Sequence, residues 1–151
     1  MNKKSILTAG TLALAISTAT TAIYSAELEE IIVTAQKRAE SLQDVPISMS
    51  ALSGSTIKDN GIHSFQDLTG YVPNLEIAEN AVNTIISMRG IGIGSNQSFE
   101  QSVGIYVDGV HFGKSRQGRS GLFDIEQMEV LRGPQGTLFG SGTTGGAVQL
   151  V

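Results

Sequence analysis

The sequence predicts a small α+β domain, and three observations support this fold class. Short β-prone runs alternate with polar loops through most of the chain, and short helical segments lie among them. Of the 151 residues, 18 are glycine and only 5% are aromatic, which favours turns and loops over a dense aromatic core. A hydrophobic content of 40% with 16% charged residues fits one small globular domain.

The chain begins with the pattern of a secretory signal peptide. Lys3 and Lys4 give the positive start, and Ile6–Ala22 is an uncharged segment rich in Ala, Leu, Ile and Thr. A transmembrane anchor is the less favoured alternative, because the segment is short for a span and small residues follow it. Cleavage after Ala22 or Ala26 would leave an exported protein of roughly 125 residues.

Three regions follow from this reading: a signal peptide at 1–26, an arm at 27–44 and a folded domain at 45–151. The arm starts with acidic residues, carries the short β-prone run Ile31–Thr34 and continues with polar and charged residues. We therefore expect it to be flexible, with one strand that can pair with a partner.

The strands of the folded domain are predicted from alternating or continuous apolar runs. Asp108 and Gly109 form a hairpin turn signal between two of these runs. The predicted strands are Ile47–Leu52, Asn74–Ile77, Thr84–Arg89, Val103–Val107, Val110–Phe112, Gln127–Leu131 and Ala147–Val151.

Short helices are predicted between the strands. One covers Ser53–Asn60 and is closed by Gly61. A second begins at Ser64, which has capping-box spacing to Asp67. A single helical turn is predicted over Thr137–Phe139.

Composition excludes several classes of chemistry. The chain has no cysteine, so disulfides, thiolate catalysis and cysteine metal sites are absent from it. His63 and His111 lie far apart with no third ligand at metal-site spacing, so we predict no metal and no cofactor. The net charge of −4, without a basic stripe, argues against nucleic acid.

No motif indicates an enzyme, and we predict no catalytic residue. The run "GPQGTLFGSGTTGG" is rich in glycine but lacks the lysine of a phosphate-binding loop. No serine lies in a G-x-S-x-G turn. Glu126 and Glu129 are three apart on a predicted strand, so they point to opposite faces and are poor acid–base partners.

Arg89 and Arg132 each end a β-like run and are each followed by glycine. Arginine forms bidentate hydrogen bonds with carboxylates, so this pair suits docking against acidic groups. Glu129 is one possible partner, and groups outside this chain are others. Spacing alone favours the simpler alternative of two exposed surface arginines.

Three polar loops alternate with the strands: Ala78–Asn83, Gly90–Ser102 and His111–Gly121. Long loops in a compact domain tend to be functional or disordered. If the strands cross one sheet, such loops can gather at one end and form a binding surface. Mobile loops without a function are an equally weighted alternative.

Six segments, taken in order, resemble the plug domain of TonB-dependent outer-membrane receptors. An isolated R-G or D-G pair is weak evidence, whereas six ordered segments that include E-V-L-R-G-P-Q-G are specific. The segments are "EEIIVTAQKR" (Glu29–Arg38), "VPISMSAL" (Val45–Leu52), "FQDLTGYVPNLEI" (Phe65–Ile77), "SMRGIG" (Ser87–Gly92), "VGIYVDGV" (Val103–Val110) and "IEQMEVLRGPQGTLFGSGTTGGAVQLV" (Ile125–Val151).

The resemblance implies a small mixed-sheet plug with long apical loops, seated inside a 22-stranded outer-membrane barrel. It implies that Arg89 and Arg132 form a latch with barrel carboxylates, and we group Glu129 with them. It also implies that an N-terminal segment is the TonB box, which pairs as an added strand with TonB of the inner-membrane energy complex. The matching residues are Glu30, Ile31, Ile32, Val33 and Thr34.

The polar loops match the family's outward-facing apical loops, which touch the ligand. The resemblance therefore implies an extracellular small-molecule ligand, such as a ferric siderophore, and a location in the outer membrane. The candidate ligand-facing residues are Asn80, Asn83, Ser95, Asn96, Gln97, Phe112 and Arg116.

The sequence does not supply the barrel that the resemblance implies. Membrane strands of roughly 9–11 residues mean that 22 of them need at least ~200 residues. We therefore expect a truncated portion that is not a transporter by itself. A stand-alone periplasmic module that binds TonB or a ligand is the alternative, and a truncated reading frame is a third. Ser141 and Gly142 stand where the family often has Arg-Asn, which puts one polar contact with the barrel in doubt.

Overall fold

A five-stranded mixed sheet forms the centre of the domain in this computed structural model, which describes residues 30–81, 83–94, 100–119 and 121–151. The predicted signal peptide at 1–26 lies outside the described residues. The strands are β1 (Ile32–Val33), β2 (Glu40–Ser41), β3 (Met49–Ser53), β4 (Leu75–Glu79), β5 (Thr84–Met88), β6 (Val103–Val107), β7 (Val110–Phe112), β8 (Gln127–Arg132) and β9 (Gly146–Leu150). The central sheet has the order β3-β8-β9-β6-β7, and β1-β2 and β4-β5 form two separate hairpin-like pairs.

The register of the central sheet defines its two ends. Strands β6 and β9 run parallel, with Val103 beside Gly146, and β8 runs antiparallel to β9, with Arg132 beside Gly146. We call this the Val103 end. The opposite end is the Val107 end, where Val107 lies beside Leu150 and β8 begins at Gln127.

Helix α1 (Gly54–Asp59) follows β3 directly and begins where the sequence predicts it. The hydroxyl of Ser53 accepts a 3.2 Å hydrogen bond from the Thr56 amide, which satisfies one free N–H of the first turn. Gly61 adopts φ 63° just beyond the helix end, a conformation that glycine reaches without a Cβ clash.

The segment Phe65–Gly70 is a 3₁₀ helix, where the sequence predicts a helix from the spacing of Ser64 and Asp67. The Asp67 carboxylate accepts hydrogen bonds from the backbone N–H groups of His63 and Ser64, each at 2.9 Å. These bonds hold the pKa of Asp67 below its ordinary value of 3.8. A short 3₁₀ turn (Gln117–Arg119) and helix α2 (Gly136–Phe139) complete the helical elements of the described residues.

One face of the central sheet carries the main core. Alternate residues of β6, β8 and β9 point to this face, and helix α1, the 3₁₀ helix Phe65–Gly70 and the β4-β5 pair cover it. The buried members are Ile57, Ile62, Phe65, Leu68, Val72, Leu75, Ile77, Ile86, Met88, Val103, Ile105, Met128, Val130, Val148 and Leu150.

The other face, which we call the second face, carries a smaller cluster. It contains Ala35, Tyr106, Leu131, Phe139 and Ala147. Because Ala35 belongs to the N-terminal segment, this segment packs across the sheet. Within the described part of the chain, no helix is long and apolar enough to cross a membrane.

The predicted α+β fold class is confirmed. The hairpin turn is also as predicted, with φ 49° at Asp108 and 79° at Gly109. The prediction of a flexible arm differs from the structure, because residues 30–44 fold back as the β1-β2 pair with Val33 and Ala35 buried. The predicted loop at Ala78–Asn83 is shorter than expected, since β4 runs to Glu79.

Candidate functional site

Residues 30–35 lie across the second face, and burial alternates along them. Val33 and Ala35 are buried, whereas the side chain of Ile32, which precedes Val33, is 46% exposed. This alternation is that of a strand with one face on the core. Val33 and Ala35 therefore anchor the segment to the domain.

Both backbone edges of this strand are occupied. On one edge, Ile31 O accepts a 2.9 Å hydrogen bond from Leu42 N, and Val33 is in register with Glu40 of β2. On the other edge, Ile32 O accepts a 2.9 Å bond from the side-chain amide of Gln127, and Thr34 N donates a 2.6 Å bond to Glu129 Oε1. The second edge is thus paired with side chains rather than with a strand.

Glu129 is buried at the centre of this contact. Its Oε1 also accepts bonds from the Thr34 hydroxyl at 3.3 Å and from Gln127 Nε2 at 3.1 Å, and Gln149 Nε2 donates to the Thr34 hydroxyl at 3.1 Å. Its Oε2 has no hydrogen-bond partner among the described residues. Burial raises the pKa of Glu129 above its ordinary value of 4.5, although the bonds from Thr34 and Gln127 act in the opposite direction.

Aromatic side chains support the same face beside this contact. The Tyr106 hydroxyl donates a 2.6 Å hydrogen bond to Phe139 O, and the two rings meet edge to face at 4.9 Å. The Lys37 ammonium lies 4.6 Å from the centre of the Phe139 ring, within cation–π range. Burial and the nearby Glu100 carboxylate raise the pKa of Tyr106, so its hydroxyl stays protonated and able to donate.

Arg89 lies beside Gly133, the residue that follows Arg132 in the chain. The Arg89 Nη1 atom lies 3.6 Å from the position that a Cβ on Gly133 would take. Arg132 donates from Nε to the Ser48 hydroxyl at 3.1 Å and from Nη2 to Met49 O at 3.0 Å. Arg89 is exposed and has φ 52°, a conformation that costs energy in a residue with a Cβ.

Glu129, which the sequence offers as one possible partner of the arginines, does not pair with Arg132. The two residues are three apart on β8, so their side chains leave opposite faces of the sheet. Among the described residues, the ion pair that forms is the surface pair Arg38–Glu40, and neither Arg89 nor Arg132 reaches a carboxylate. Glu129 therefore belongs with the N-terminal strand and not with the two arginines.

The described parts of the three polar loops meet at the Val103 end. Gln101 donates from its side chain to Thr84 O at 3.0 Å and from its backbone to Gly113 O at 3.2 Å. The Ser115 hydroxyl bonds to Asn83 Oδ1 at 3.3 Å, and Arg119 Nη1 bonds to Ala81 O at 2.9 Å. Hydrogen bonds of the buried residues Asn83, Gln101 and Ser115 thus link the described parts of the loops to one another.

The candidate ligand-facing residues divide into different environments. Asn83 is buried, and its backbone N–H donates a 2.8 Å hydrogen bond to Asn80 Oδ1. This bond shapes the turn between the two residues. Phe112 ends β7 and is half-buried against the main core. Arg116 is exposed in the loop cluster. Ser95, Asn96 and Gln97 lie outside the described residues.

Sequence reasoning missed Gln127 and Gln149, which complete the contact around Thr34. The available signal was the spacing of Gln127 and Glu129. These polar residues alternate with the apolar residues Met128 and Val130 on β8. Such spacing puts both side chains on one face. Glu126 and Glu129, the polar pair considered from the sequence, are three residues apart and therefore point to opposite faces of the strand. In the described part of the chain, no group of three or more acidic or histidine side chains could hold a metal ion.

A small sheet that holds an N-terminal strand on one face and gathers polar loops at one end defines a plug-type domain. The chain belongs to the family described as the TonB-dependent receptor plug domain, whose model matches residues 41–147. Residues 30–40, which contain β1, lie before the matched region.

Curated relatives and solved structures agree with this family. The chain is 32% identical to the pesticin receptor of Yersinia pestis over 124 residues, covering 80% of this chain and 18% of that protein. It is 32% identical to the iron-regulated outer membrane virulence protein of Vibrio cholerae serotype O1 over 136 residues, covering 82% of this chain and 20% of that protein. The chain thus spans about a fifth of the length of each of these relatives.

The crystal structure of the ferric yersiniabactin uptake receptor FyuA from Yersinia pestis superposes with a TM-score of 0.61 at 34% identity. The match covers 70% of this chain and 17% of that one. The siderophore receptor PiuA from Acinetobacter baumannii gives a TM-score of 0.57 at 29% identity, covering 74% of this chain and 15% of that one. These proteins are named as receptors, and the part that resembles this chain is the plug.

Proposed function

We propose that this chain is the plug and TonB-contacting portion of an outer-membrane receptor for energised uptake of a scarce nutrient. The observation that carries the proposal is the match of residues 41–147 to the plug family, together with a strand at residues 32–33 just before the matched region. The iron-related and siderophore-related names of the relatives favour a ferric siderophore as the ligand.

The arrangement of the sheet supports a directional role. Ile32 is held by Gln127 at the Val107 end, whereas the loop cluster with Gln101 and Ser115 lies at the Val103 end. In the proposed receptor the loop cluster faces outward to the ligand, and the strand faces the periplasm and TonB. Arg89 and Arg132, near Gly133, would then contact carboxylates of the barrel wall.

The strand itself has the chemistry that strand addition needs. Main-chain hydrogen bonds give affinity in this mode of recognition, and alternate side chains give specificity. The run Ile31–Val33 is apolar and β-branched, which favours an extended conformation. TonB is therefore the proposed partner of residues 30–34.

A peptide of residues 30–36 provides the direct test. We expect it to bind the soluble periplasmic domain of TonB saturably in a calorimetric titration. A matched peptide with Val33→Pro lacks one backbone N–H and resists the strand conformation, so it should bind much more weakly. Equal binding of both peptides, or binding of neither, would rule out residues 30–34 as the TonB box.

A chimera tests the receptor role. Residues 30–151 would replace the plug of the ferric yersiniabactin receptor, and uptake of labelled ferric yersiniabactin would be measured with and without TonB. We expect TonB-dependent uptake above that of the empty barrel. Uptake that does not depend on TonB would contradict the gating role.

A further inference from the structure

Asn60 and Gly61 follow helix α1 and form the one Asn-Gly sequence in the chain. Both residues are exposed to solvent. Because glycine has no side chain, the backbone nitrogen that follows Asn60 is unshielded, and an Asn-Gly bond is where this nitrogen attacks the asparagine side chain most readily. The sequence therefore carries a site of spontaneous chemistry, and the fold around it controls when it can react.

The reaction needs only the chain and water. Gly61 N loses its proton to solvent base and attacks Asn60 Cγ, so that a new C–N bond closes a succinimide ring. The bond from Asn60 Cγ to Nδ2 then breaks, and the side-chain nitrogen leaves as ammonia. Water opens the ring at either carbonyl, which gives aspartate or, with the backbone running through Cβ and Cγ, isoaspartate. One water is consumed for each ammonia released, and nothing is oxidised or reduced.

In the folded chain both reacting groups are held by helix α1. Gly61 N donates a 3.1 Å hydrogen bond to Lys58 O, and Asn60 Nδ2 donates a 2.8 Å bond to Thr56 O. The Asn60 backbone N–H donates to the same Thr56 carbonyl at 3.1 Å. The bond to Lys58 O must break before Gly61 N can give up its proton. The bond from Nδ2 to Thr56 O must break before the side chain can turn toward Gly61.

We propose that Asn60–Gly61 is a modification site of this chain, at which deamidation through a succinimide proceeds from the molecules in which the end of helix α1 is open. The site is independent of the proposed receptor function. Helix ends open locally at a much lower free-energy cost than the whole domain unfolds. The opening that frees Gly61 N also lets its amide hydrogen exchange with water, so deamidation and hydrogen exchange report the same event.

The product disturbs the main core beside the site. The backbone N–H of Ile62 donates a 3.0 Å bond to Ile57 O, and both side chains are buried. Isoaspartate at position 60 lengthens the backbone between these two residues by one methylene, which strains this bond and the packing of Ile62. Either product also places a carboxylate at the C-terminal end of α1, where the helix dipole opposes negative charge. Each modified chain therefore has a weaker α1 than an unmodified one.

Mass spectrometry of the full chain over time at mildly alkaline pH tests the proposal. We expect deamidation of Asn60 to be at least about tenfold slower in the folded chain than in the same chain unfolded in guanidinium chloride. Ser53→Ala removes the hydroxyl that caps the first turn of α1 and should raise the folded-state rate about fivefold. Ser87→Ala is the matched control, because its hydroxyl bonds to Glu76 on the β4-β5 pair, and it should leave the rate unchanged.

Hydrogen exchange of the Gly61 amide measures the opening independently. Across the wild type and both serine variants, the deamidation rate should rise in proportion to this exchange rate. Asn60→Gln keeps a side-chain amide but requires a larger ring, so the mass change should disappear from this segment. An unfolded chain that does not deamidate at Asn60 would overturn the site. Equal rates in the folded and unfolded chain, or faster Gly61 exchange in Ser53→Ala without faster deamidation, would overturn control by α1.

Discussion

Thr34 and Glu129 are 95 residues apart in the chain and are joined by a 2.6 Å hydrogen bond from a backbone N–H to a buried carboxylate. A bond to a charged acceptor is stronger than one between neutral groups, but burial of the carboxylate opposes it. Ala35, the residue after Thr34, packs with Tyr106 and Leu131 on the second face. Its strength should therefore depend on the ionisation of Glu129.

The first prediction concerns this ionisation. Burial raises the pKa of Glu129 in the folded state, so the folded state binds its proton more tightly than the unfolded state. The stability from this group is fully present below its ordinary pKa of 4.5 and is lost as pH rises through the raised value. Glu129→Gln should remove this loss, so its free energy of unfolding should fall less between pH 4.5 and neutral pH than that of the wild type.

Urea unfolding at several pH values measures the difference. The other charged groups near the contact are Glu126, Lys37 and Arg38, which line the clefts beside Thr34 and are unchanged in the variant. Asp67 has a lowered pKa and contributes with the opposite sign, but equally in both proteins. Glu126→Gln is the control and should follow the wild-type pH profile. If the free energy of unfolding of Glu129→Gln changes with pH in parallel with that of the wild type, Glu129 does not cause the loss of stability at higher pH.

The second prediction concerns Tyr106. Tyr106→Phe removes the 2.6 Å bond to Phe139 O and leaves this carbonyl without its donor, which should lower the free energy of unfolding by roughly 1–2 kcal/mol. Tyr71→Phe is the matched control, because Tyr71 is exposed and its hydroxyl bond to Asn60 O is 3.5 Å long. Chemical denaturation of both variants tests this, and equal losses would contradict a specific role of the Tyr106 bond.

The third prediction concerns the close approach of strands at Gly146. A Cβ at this position would overlap Leu131 O and Met88 Sδ, and the backbone has φ 152°. Gly146→Ala should therefore destabilise the domain by about 1–3 kcal/mol or more, as overpacked positions do. Gly70→Ala, where a Cβ would meet nothing within 4 Å, should stay within about 0.5 kcal/mol of the wild type. Thermal melts of the two variants distinguish them, and a stable Gly146→Ala protein would show that β9 can shift.

Local sequence patterns predicted most of the fold. The helix stop at Gly61, the Ser64–Asp67 spacing and the Asp108-Gly109 turn each act over fewer than five residues, so the chain reveals them directly. The two faces of β8 follow from alternation, with Met128 and Val130 on the main core and Gln127 and Glu129 on the opposite face.

The contacts of the N-terminal segment could not be predicted in this way. Polar residues between Ala35 and Asp44 suggested a solvated arm, but tertiary contacts from Gln127 and Glu129 override that local signal. A bond that spans 95 residues leaves no trace in local spacing. The same reason explains why the sequence alone groups Glu129 with Arg132, three residues away, instead of with Thr34.

The fourth prediction separates the structural and receptor roles of the two arginines. Arg132→Ala removes the bonds to Ser48 and Met49 O, which tie β8 to the segment leading into β3, and should lower the free energy of unfolding of the chain by roughly 1–2 kcal/mol. Arg89→Ala should change it by less than about 0.5 kcal/mol, because its guanidinium is exposed and has no described hydrogen-bond partner. Urea unfolding of the isolated variants gives both values.

In the chimera with the yersiniabactin receptor barrel, Arg89→Ala should have a clear effect, in contrast to its small effect on the stability of the isolated chain. If both guanidinium groups meet barrel carboxylates, then Arg89→Ala should reduce plug retention and TonB-dependent uptake although it leaves the isolated domain stable. Arg89→Lys keeps the charge but loses the planar fork, so it should restore uptake only partly. Normal uptake by Arg89→Ala would mean that Arg89 is a surface arginine, which is the alternative that spacing alone favoured.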